Sequence, residues 1–71
     1  MMTPLPLRGP FVTLAQAVKV AGLADTGGQA KLLVRQGAVR VNREVVTQPG
    51  KKLVKGDRFQ SADGQEWIVT E

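Results

Sequence analysis

Eight of the ten basic residues in this 71-residue chain lie between positions 31 and 58, and their spacing favours an anionic ligand. Lys31 and Arg35 are four residues apart, so a helix would place both side chains on one face. Like charges at this spacing destabilise an isolated helix by about 0.2–0.5 kcal/mol. No acidic residue at positions 27, 28 or 39 offsets the repulsion. This uncompensated cost predicts an external anion, although a solvated helix face would show the same pattern.

The charge is distributed unevenly along the chain. Residues 31–58 hold eight basic and two acidic residues, whereas residues 59–71 hold three acidic residues and no basic one. The net charge of the whole chain is +4 and its isoelectric point is about 10.2. An isoelectric point above about 9 is typical of nucleic-acid-binding domains. Lysines scattered for solubility would also raise it.

Thr26, Gly27 and Gly28 stand where the helix that carries Lys31 would begin. The first N–H groups of a helix lack partners within the helix, and the helix dipole places partial positive charge there. Glycines allow a phosphate to approach these N–H groups closely. Thr26 and Gly28 are therefore candidate anion contacts, although a glycine pair here would also suit a plain tight connection.

More basic residues follow the second helix. Arg40 alternates with Val39 and Val41, so a strand would place Arg40 on the opposite face from the two valines. The others lie in turns and loops: Arg43 at the expected hairpin tip, and Lys51, Lys52 and Lys55 in the next loop. If the hairpin folds back beside the second helix, Arg40 and these four residues converge with Lys31 and Arg35 on one basic face.

The residue types that most catalytic and metal chemistry requires are missing. The chain has no cysteine and no histidine, which excludes disulfides, thiolate metal sites and the commonest general base at neutral pH. Ser61 is the only serine and has no histidine to activate it, and the six carboxylates are dispersed. We expect no catalytic residue, no cofactor and no metal, and hence not an enzyme.

Aromatic residues are equally sparse. Phe11, Phe59 and Trp67 all lie outside the basic segment. Proteins that bind single strands by stacking present several rings on a surface, so the sequence favours recognition of folded RNA by backbone and shape. Trp67 is expected to pack in the core.

Two helices are predicted to position the basic residues. Thr13-Leu-Ala-Gln16 is a capping-box pattern, which starts a helix that runs to about Ala21. Thr26-Gly-Gly-Gln29 repeats the pattern and predicts a second helix from about Gly27 to Gln36. Glycines 22 and 37 would end the two helices. The second helix would bury Ala30, Leu33 and Val34.

After position 37 the hydrophobic period changes from 3.6 to 2, which predicts strands. Val39–Val41 and 44–47 would form a hairpin, and further strands are expected at about 53–54, 57–61 and 65–70. The prediction is an α+β fold in which two short helices precede a small, bent antiparallel sheet. Residues 1–10, with three prolines, are expected to form a flexible N-terminal arm, and residues 11–71 a single domain. Without a signal peptide or membrane span, a cytoplasmic protein with no membrane partner is expected.

The motifs together resemble the S-four-like RNA-binding domain, named after the fourth protein of the small ribosomal subunit. The resemblance runs from about Thr13 to Phe59 and is strongest to the small stand-alone bacterial subfamily. It implies an αL-type fold that binds structured RNA through the second helix and the adjacent hairpin. The expected RNA is ribosomal or transfer RNA, and the ribosome is an expected partner. A monomer without a small-molecule substrate is expected. The RNA-binding candidates are Thr26, Gly28, Lys31, Arg35, Arg40, Asn42, Arg43, Lys51 and Lys52.

The chain departs from the family pattern at two positions. Many members have arginine where this chain has Gly27, so one contact side chain is absent. The usual Asn-Gly of the hairpin tip is replaced by Asn42-Arg43, and a type I′ turn would place Arg43 at positive φ, which costs about 1–2 kcal/mol. Either the turn differs, or Arg43 is tolerated because it contributes a contact.

A second function class also fits the charge pattern. The basic face could dock on an acidic protein surface, which would make the chain a protein-interaction module. Protein interfaces are enriched in tyrosine and tryptophan, and the basic segment contains neither. RNA binding is therefore the leading interpretation.

Overall fold

The computed structural model describes residues 2–71, which form two helices and seven short strands. The α+β class predicted from the sequence is confirmed. The helices are α1 (Leu14–Val20) and α2 (Gly27–Arg35). The strands in chain order are β1 (Met2–Pro6), β2 (Val12–Thr13), β3 (Val39–Val41), β4 (Glu44–Val45), β5 (Lys52–Leu53), β6 (Arg58–Ser61) and β7 (Glu66–Thr70).

Side-chain caps begin both helices at the predicted residues. The N–H of Gln16 donates to Thr13 Oγ1 (3.3 Å), and the N–H of Thr13 donates to Gln16 Oε1 (3.1 Å), which completes a capping box. At α2 only half of the predicted box forms. The N–H of Gln29 donates to Thr26 Oγ1 (3.1 Å), but Gln29 Oε1 accepts the N–H of Asp25 (2.8 Å) instead of that of Thr26.

The strands form a five-stranded and a two-stranded sheet. The larger has the order β1-β7-β6-β3-β4, and the smaller pairs β2 with β5. Because β1 runs parallel to β7 while the other neighbours are antiparallel, the sheet is mixed. The prediction of an antiparallel sheet that follows the helices is therefore wrong for β1 and β2, which precede α1.

The expected flexible arm over residues 1–10 is also corrected, because Met2–Pro6 form β1; Met1 lies outside the described residues. Leu5 is buried in the same core cluster as the helices. The N–H of Leu7 donates to the carbonyl of Thr70 (2.7 Å). Strand alternation then points the ring nitrogens of Pro4 and Pro6 toward the open edge, where no N–H is needed. The folded unit thus includes the N-terminal segment.

One hydrophobic core lies between the helices and one face of the larger sheet. Phe59 and Trp67 are cross-strand partners whose rings stack with centroids 5.3 Å apart, so the predicted core role of Trp67 is confirmed. Leu33 is only partly buried, whereas the sequence analysis placed it in the buried face of α2. The fully enclosed residues of the helices and β3 are Leu14, Ala17, Val18, Ala30, Val34, Val39 and Val41.

Candidate nucleic-acid interface

The first turn of α2 leaves two backbone N–H groups open to a ligand. Thr26 accepts from the N–H of Gln29 through its hydroxyl and from the N–H of Ala30 through its carbonyl (3.0 Å). Within residues 2–71, the N–H groups of Gly27 and Gly28 donate no hydrogen bond. The turn also contains no acidic residue. This end of the helix therefore presents free donors and partial positive charge, which suit an anion.

Lys31 and Arg35 lie one turn apart on α2, and both are exposed. In the described part of the chain no carboxylate lies within salt-bridge distance of either, whereas Lys55 Nζ pairs with Glu71 Oε1 at 3.0 Å. Arg35 is in the last turn, where its charge interacts favourably with the helix dipole. The structure gives no comparable compensation to Lys31.

Arg40 lies on the outer face of the five-stranded sheet. It is exposed, whereas Val39 and Val41 are 2% and 3% exposed and face the helices, as the alternation predicted. Arg40 is paired with Gln60, which is paired with Glu66, so that carboxylate is two strands away, about 10 Å. Arg40 therefore lies on the opposite side of the sheet from α2, and its convergence with Lys31 and Arg35 on one basic face stays a prediction.

The hairpin tip has the geometry that the sequence analysis left open. The φ angles of Asn42 and Arg43 are +50° and +74°, and Val41 pairs with Glu44, as in a two-residue type I′ turn. The turn therefore does not differ from the family pattern in its backbone. Arg43 occupies the left-handed region as an exposed arginine, at a cost of about 1–2 kcal/mol.

Asn42 joins the hairpin tip to the turn before β6. Its Oδ1 accepts the N–H of Arg58 (3.1 Å), and its Nδ2 donates to Asp57 Oδ1 (3.3 Å). Asp57 Oδ2 in turn accepts the N–H of Val54 (2.8 Å). The structure thus gives Asn42 a positioning role, and its contact with RNA stays a prediction.

The segment that carries Lys51 and Lys52 is anchored to the start of α1, and Lys52 lies in β5 instead of in the loop expected from the sequence. The N–H of Leu14 donates to the carbonyl of Lys51 (2.8 Å), and the N–H of Ala15 donates to that of Pro49 (3.0 Å). Lys51 and Asn42 line one groove of about 490 Å³ along the β3–β4 hairpin, together with Glu44. Two candidates far apart in sequence are thereby brought to one concave surface.

Two residues that the sequence analysis did not select lie beside the candidates. Phe11 is 40% exposed, and the ammonium nitrogen of Lys52 lies 4.8 Å from the centre of its ring. Arg58 is exposed and lies opposite Asn42 at the continuation of the β3–β6 pairing. Its position in the basic segment could have indicated Arg58. Nothing local in the sequence connects Phe11 with Lys52.

Asp63 is the titratable group whose pKa the structure shifts clearly. The Ser61 hydroxyl and the N–H of Gln65 (3.2 Å) donate to its carboxylate and hold the pKa below the usual value of 3.8. These contacts close the turn between β6 and β7, which lines a small groove together with Gly37, Ala38 and Arg40. They stabilise the fold locally.

Residues 2–71 contain neither a candidate membrane span nor a candidate metal cluster. None of the helices there is long and apolar enough to cross a membrane. No group of three or more cysteine, histidine or acidic side chains is arranged to hold a metal ion in that part of the chain.

Comparison with known proteins identifies the family. The sequence model described as S4 domain matches residues 5–70. The chain is 35% identical over 57 residues to the "Probable ribosome maturation protein RlbA" of Bacillus subtilis (strain 168), covering 80% of each protein. It is 32% identical over 60 residues to the "Putative RNA-binding protein YbcJ" of Escherichia coli (strain K12), covering 84% of this chain and 86% of that protein. The resemblance inferred from the motifs is confirmed, and the chain belongs to the S4 domain family.

Proposed function

We propose that the chain binds structured RNA, ribosomal or transfer RNA, without catalysing a reaction. The RNA meets a set of cations that we call the basic surface: Lys31, Arg35, Arg40, Arg43, Lys51 and Lys52. The free N–H groups at the start of α2 add phosphate contacts beside Thr26 and Gly28. The two helices and the β3–β4 hairpin then correspond to the αL arrangement that the family resemblance implies.

The observation that carries the proposal is the absence of carboxylate partners for these charges within residues 2–71. All six side chains are exposed, and within residues 2–71 none forms an ion pair, although Lys55 does. Solvated lysines and arginines separated from carboxylates attract polyanions, and phosphate neutralisation supplies most of nucleic-acid affinity. The names of the relatives, one RNA-binding and one in ribosome maturation, agree with an RNA ligand.

The geometry restricts how RNA can use the basic surface. Arg40 is on the outer face of the sheet, while Lys31 and Arg35 are on the helix side. The end of α2 adjoins the strand at the sheet edge, since a Cβ at Gly37 would lie 3.4 Å from Val45 Cγ1. An RNA that contacts both groups must therefore straddle the β4 edge. A folded RNA, with two strands of phosphates, can do so more readily than one flexible strand.

Fluorescence anisotropy with an RNA hairpin and an unstructured strand of equal length tests the proposal. We expect tighter binding of the hairpin, because the basic surface lacks a platform of several aromatic rings. For about five phosphate contacts, the log–log slope of affinity against salt should be about −3 to −5. A flat salt response, or a preference for the unstructured strand, would contradict the proposal. Crosslinking in cells followed by sequencing of the bound RNA distinguishes ribosomal from transfer RNA.

A further inference from the structure

The contact between Phe11 and Lys52 follows from the smaller sheet. Thr13 is paired with Lys52 in the β2–β5 register, so Phe11, two residues before Thr13, is the diagonal neighbour of Lys52. Val12 and its partner Leu53 turn inward, and Leu53 is fully buried. The sheet therefore holds the ring of Phe11 and the ammonium of Lys52 together on its outer side.

The same ring lines a groove between the N-terminal segment and α1. The groove has a volume of about 600 Å³, and Leu7, Val12 and Val20 supply apolar lining. Its charged lining residues are Arg8 and Lys19, and no carboxylate lines it. A groove that is apolar and whose charged residues are all cations suits a ligand with a flat uncharged ring attached to a phosphate. A nucleotide has this chemistry.

We propose that Phe11 and this groove bind one unpaired nucleotide of the RNA, next to the structured part held by the basic surface. The base stacks on the face of the Phe11 ring that Lys52 does not cover, and Lys52 and Lys19 hold the flanking phosphates. This inference rests on the proposed RNA-binding function. It adds a preference for a folded RNA that carries an unpaired nucleotide beside its duplex.

Continuity with the basic surface favours a nucleotide over another occupant. Lys52 belongs to the basic surface and contacts Phe11, so a strand that leaves the basic surface reaches the ring without a gap. One ring offers one stacking position, which agrees with the expected preference for folded over unstructured RNA. An acidic, apolar segment of a partner protein has similar chemistry, and the test below separates the two.

The test compares two RNAs: a blunt hairpin, and the same hairpin extended by one unpaired nucleotide that carries a fluorescent adenine analogue. The variants are Phe11→Leu, which keeps an apolar side chain without an aromatic face, and Phe11→Tyr, which keeps the face. The extension should raise the affinity of the unaltered protein and of Phe11→Tyr by about five- to tenfold and quench the analogue. Phe11→Leu should abolish that difference between the two RNAs, and any loss from its missing contact with Lys52 should affect both RNAs equally.

Other outcomes separate this inference from the proposed function. If the extension brings no gain and no quenching, or if Phe11→Leu retains both, the groove does not bind a nucleotide, and an acidic protein segment becomes the better occupant. If neither RNA binds the unaltered protein, the proposed function itself fails. Thermal melts show whether Phe11→Leu folds. If it does not, the comparison of the two RNAs and the quenching with unaltered protein decide.

Discussion

Replacement of Arg43 by glycine should stabilise the protein and weaken RNA binding at the same time. The φ of Arg43 is +74°, in the left-handed region, where a residue with a Cβ is disfavoured by about 1–2 kcal/mol. Glycine avoids that cost but gains freedom in the unfolded chain, which offsets about 0.4–1 kcal/mol of it. The net expected gain for Arg43→Gly is about 0–1.6 kcal/mol in the free energy of unfolding, centred near 0.8 kcal/mol. For a domain of this size, the central value raises the melting temperature by about 3–6 °C.

Arg43→Ala is the matched control, because it removes the guanidinium and keeps the Cβ. Its stability should equal that of the unaltered protein, since the backbone strain remains. Both variants should lose the same RNA affinity, and the slope of log affinity against log salt should become shallower by about 1 for one lost phosphate contact. The pair of variants therefore separates strain from charge at a single position.

Urea denaturation gives the free energies of unfolding, and anisotropy at several salt concentrations gives the affinities and slopes. Equal stability of Arg43→Gly and Arg43→Ala would show that the turn stores no strain. If both variants bind RNA as tightly as the unaltered protein, Arg43 makes no contact, and the turn's strain has no function in binding. Only the combined result, stability gained by glycine alone and affinity lost by both, supports the argument.

Three further substitutions and one control substitution test the surface and the fold. Lys31→Glu should leave the free energy of unfolding unchanged or raise it by about 0.5 kcal/mol, because it replaces a like-charged helix pair by a favourable one; RNA affinity should fall at least about tenfold. Lys55→Glu is its control, because it changes the net charge by the same amount at a lysine already paired with Glu71. If Lys31→Glu and Lys55→Glu lose the same RNA affinity, only the net charge matters. Gly27→Arg should strengthen RNA binding in the same anisotropy assay, since a Cβ at Gly27 meets nothing within 4 Å; unchanged affinity would show that α2 begins away from the RNA. Asp63→Asn should lower the melting temperature at neutral pH, because the folded state lowers the pKa of Asp63 and so favours its ionised carboxylate. The stabilisation that the ionised carboxylate supplies is fully present above pH 3.8 and is lost as the pH falls through the lower pKa of the folded state. The difference between the two proteins should therefore shrink in acid, and a difference independent of pH would exclude the ionised carboxylate as its cause.

The parts of the fold that local chemistry determines could be predicted from the sequence. Thr13 and Thr26 cap the helices at the expected residues, and glycines 22 and 37 follow them at positive φ. The β3–β4 hairpin also formed where the period changed. The first strand could not be predicted, because its partner is at the opposite end of the chain and Pro4 and Pro6 indicate a loop. The two residues of β2 are too few to show any period.

The candidate site divides in the same way. Helical and strand periodicity predicted the exposure of Lys31, Arg35 and Arg40, and the structure confirms it. Their relation in space depends on which sheet face the helices cover, which no local pattern encodes, and one common basic face stays a prediction. The contact between Lys52 and Phe11 depends on the pairing of two distant strands, which no local pattern encodes.

The locally unfavourable features of the chain coincide with the candidate interface. Lys31 and Arg35 repel each other, Arg43 has a positive φ, and Gly27 and Gly28 weaken the first turn of α2 although both have room for a Cβ. A single substitution would remove each cost without altering the core. A domain of about 70 residues has only about 3–5 kcal/mol of core stabilisation to spare, so such costs are not negligible. The fold does not require any of them, whereas a phosphate ligand would use the two cations, the turn arginine and the exposed N–H groups. These local costs are therefore better explained by the proposed binding than by folding.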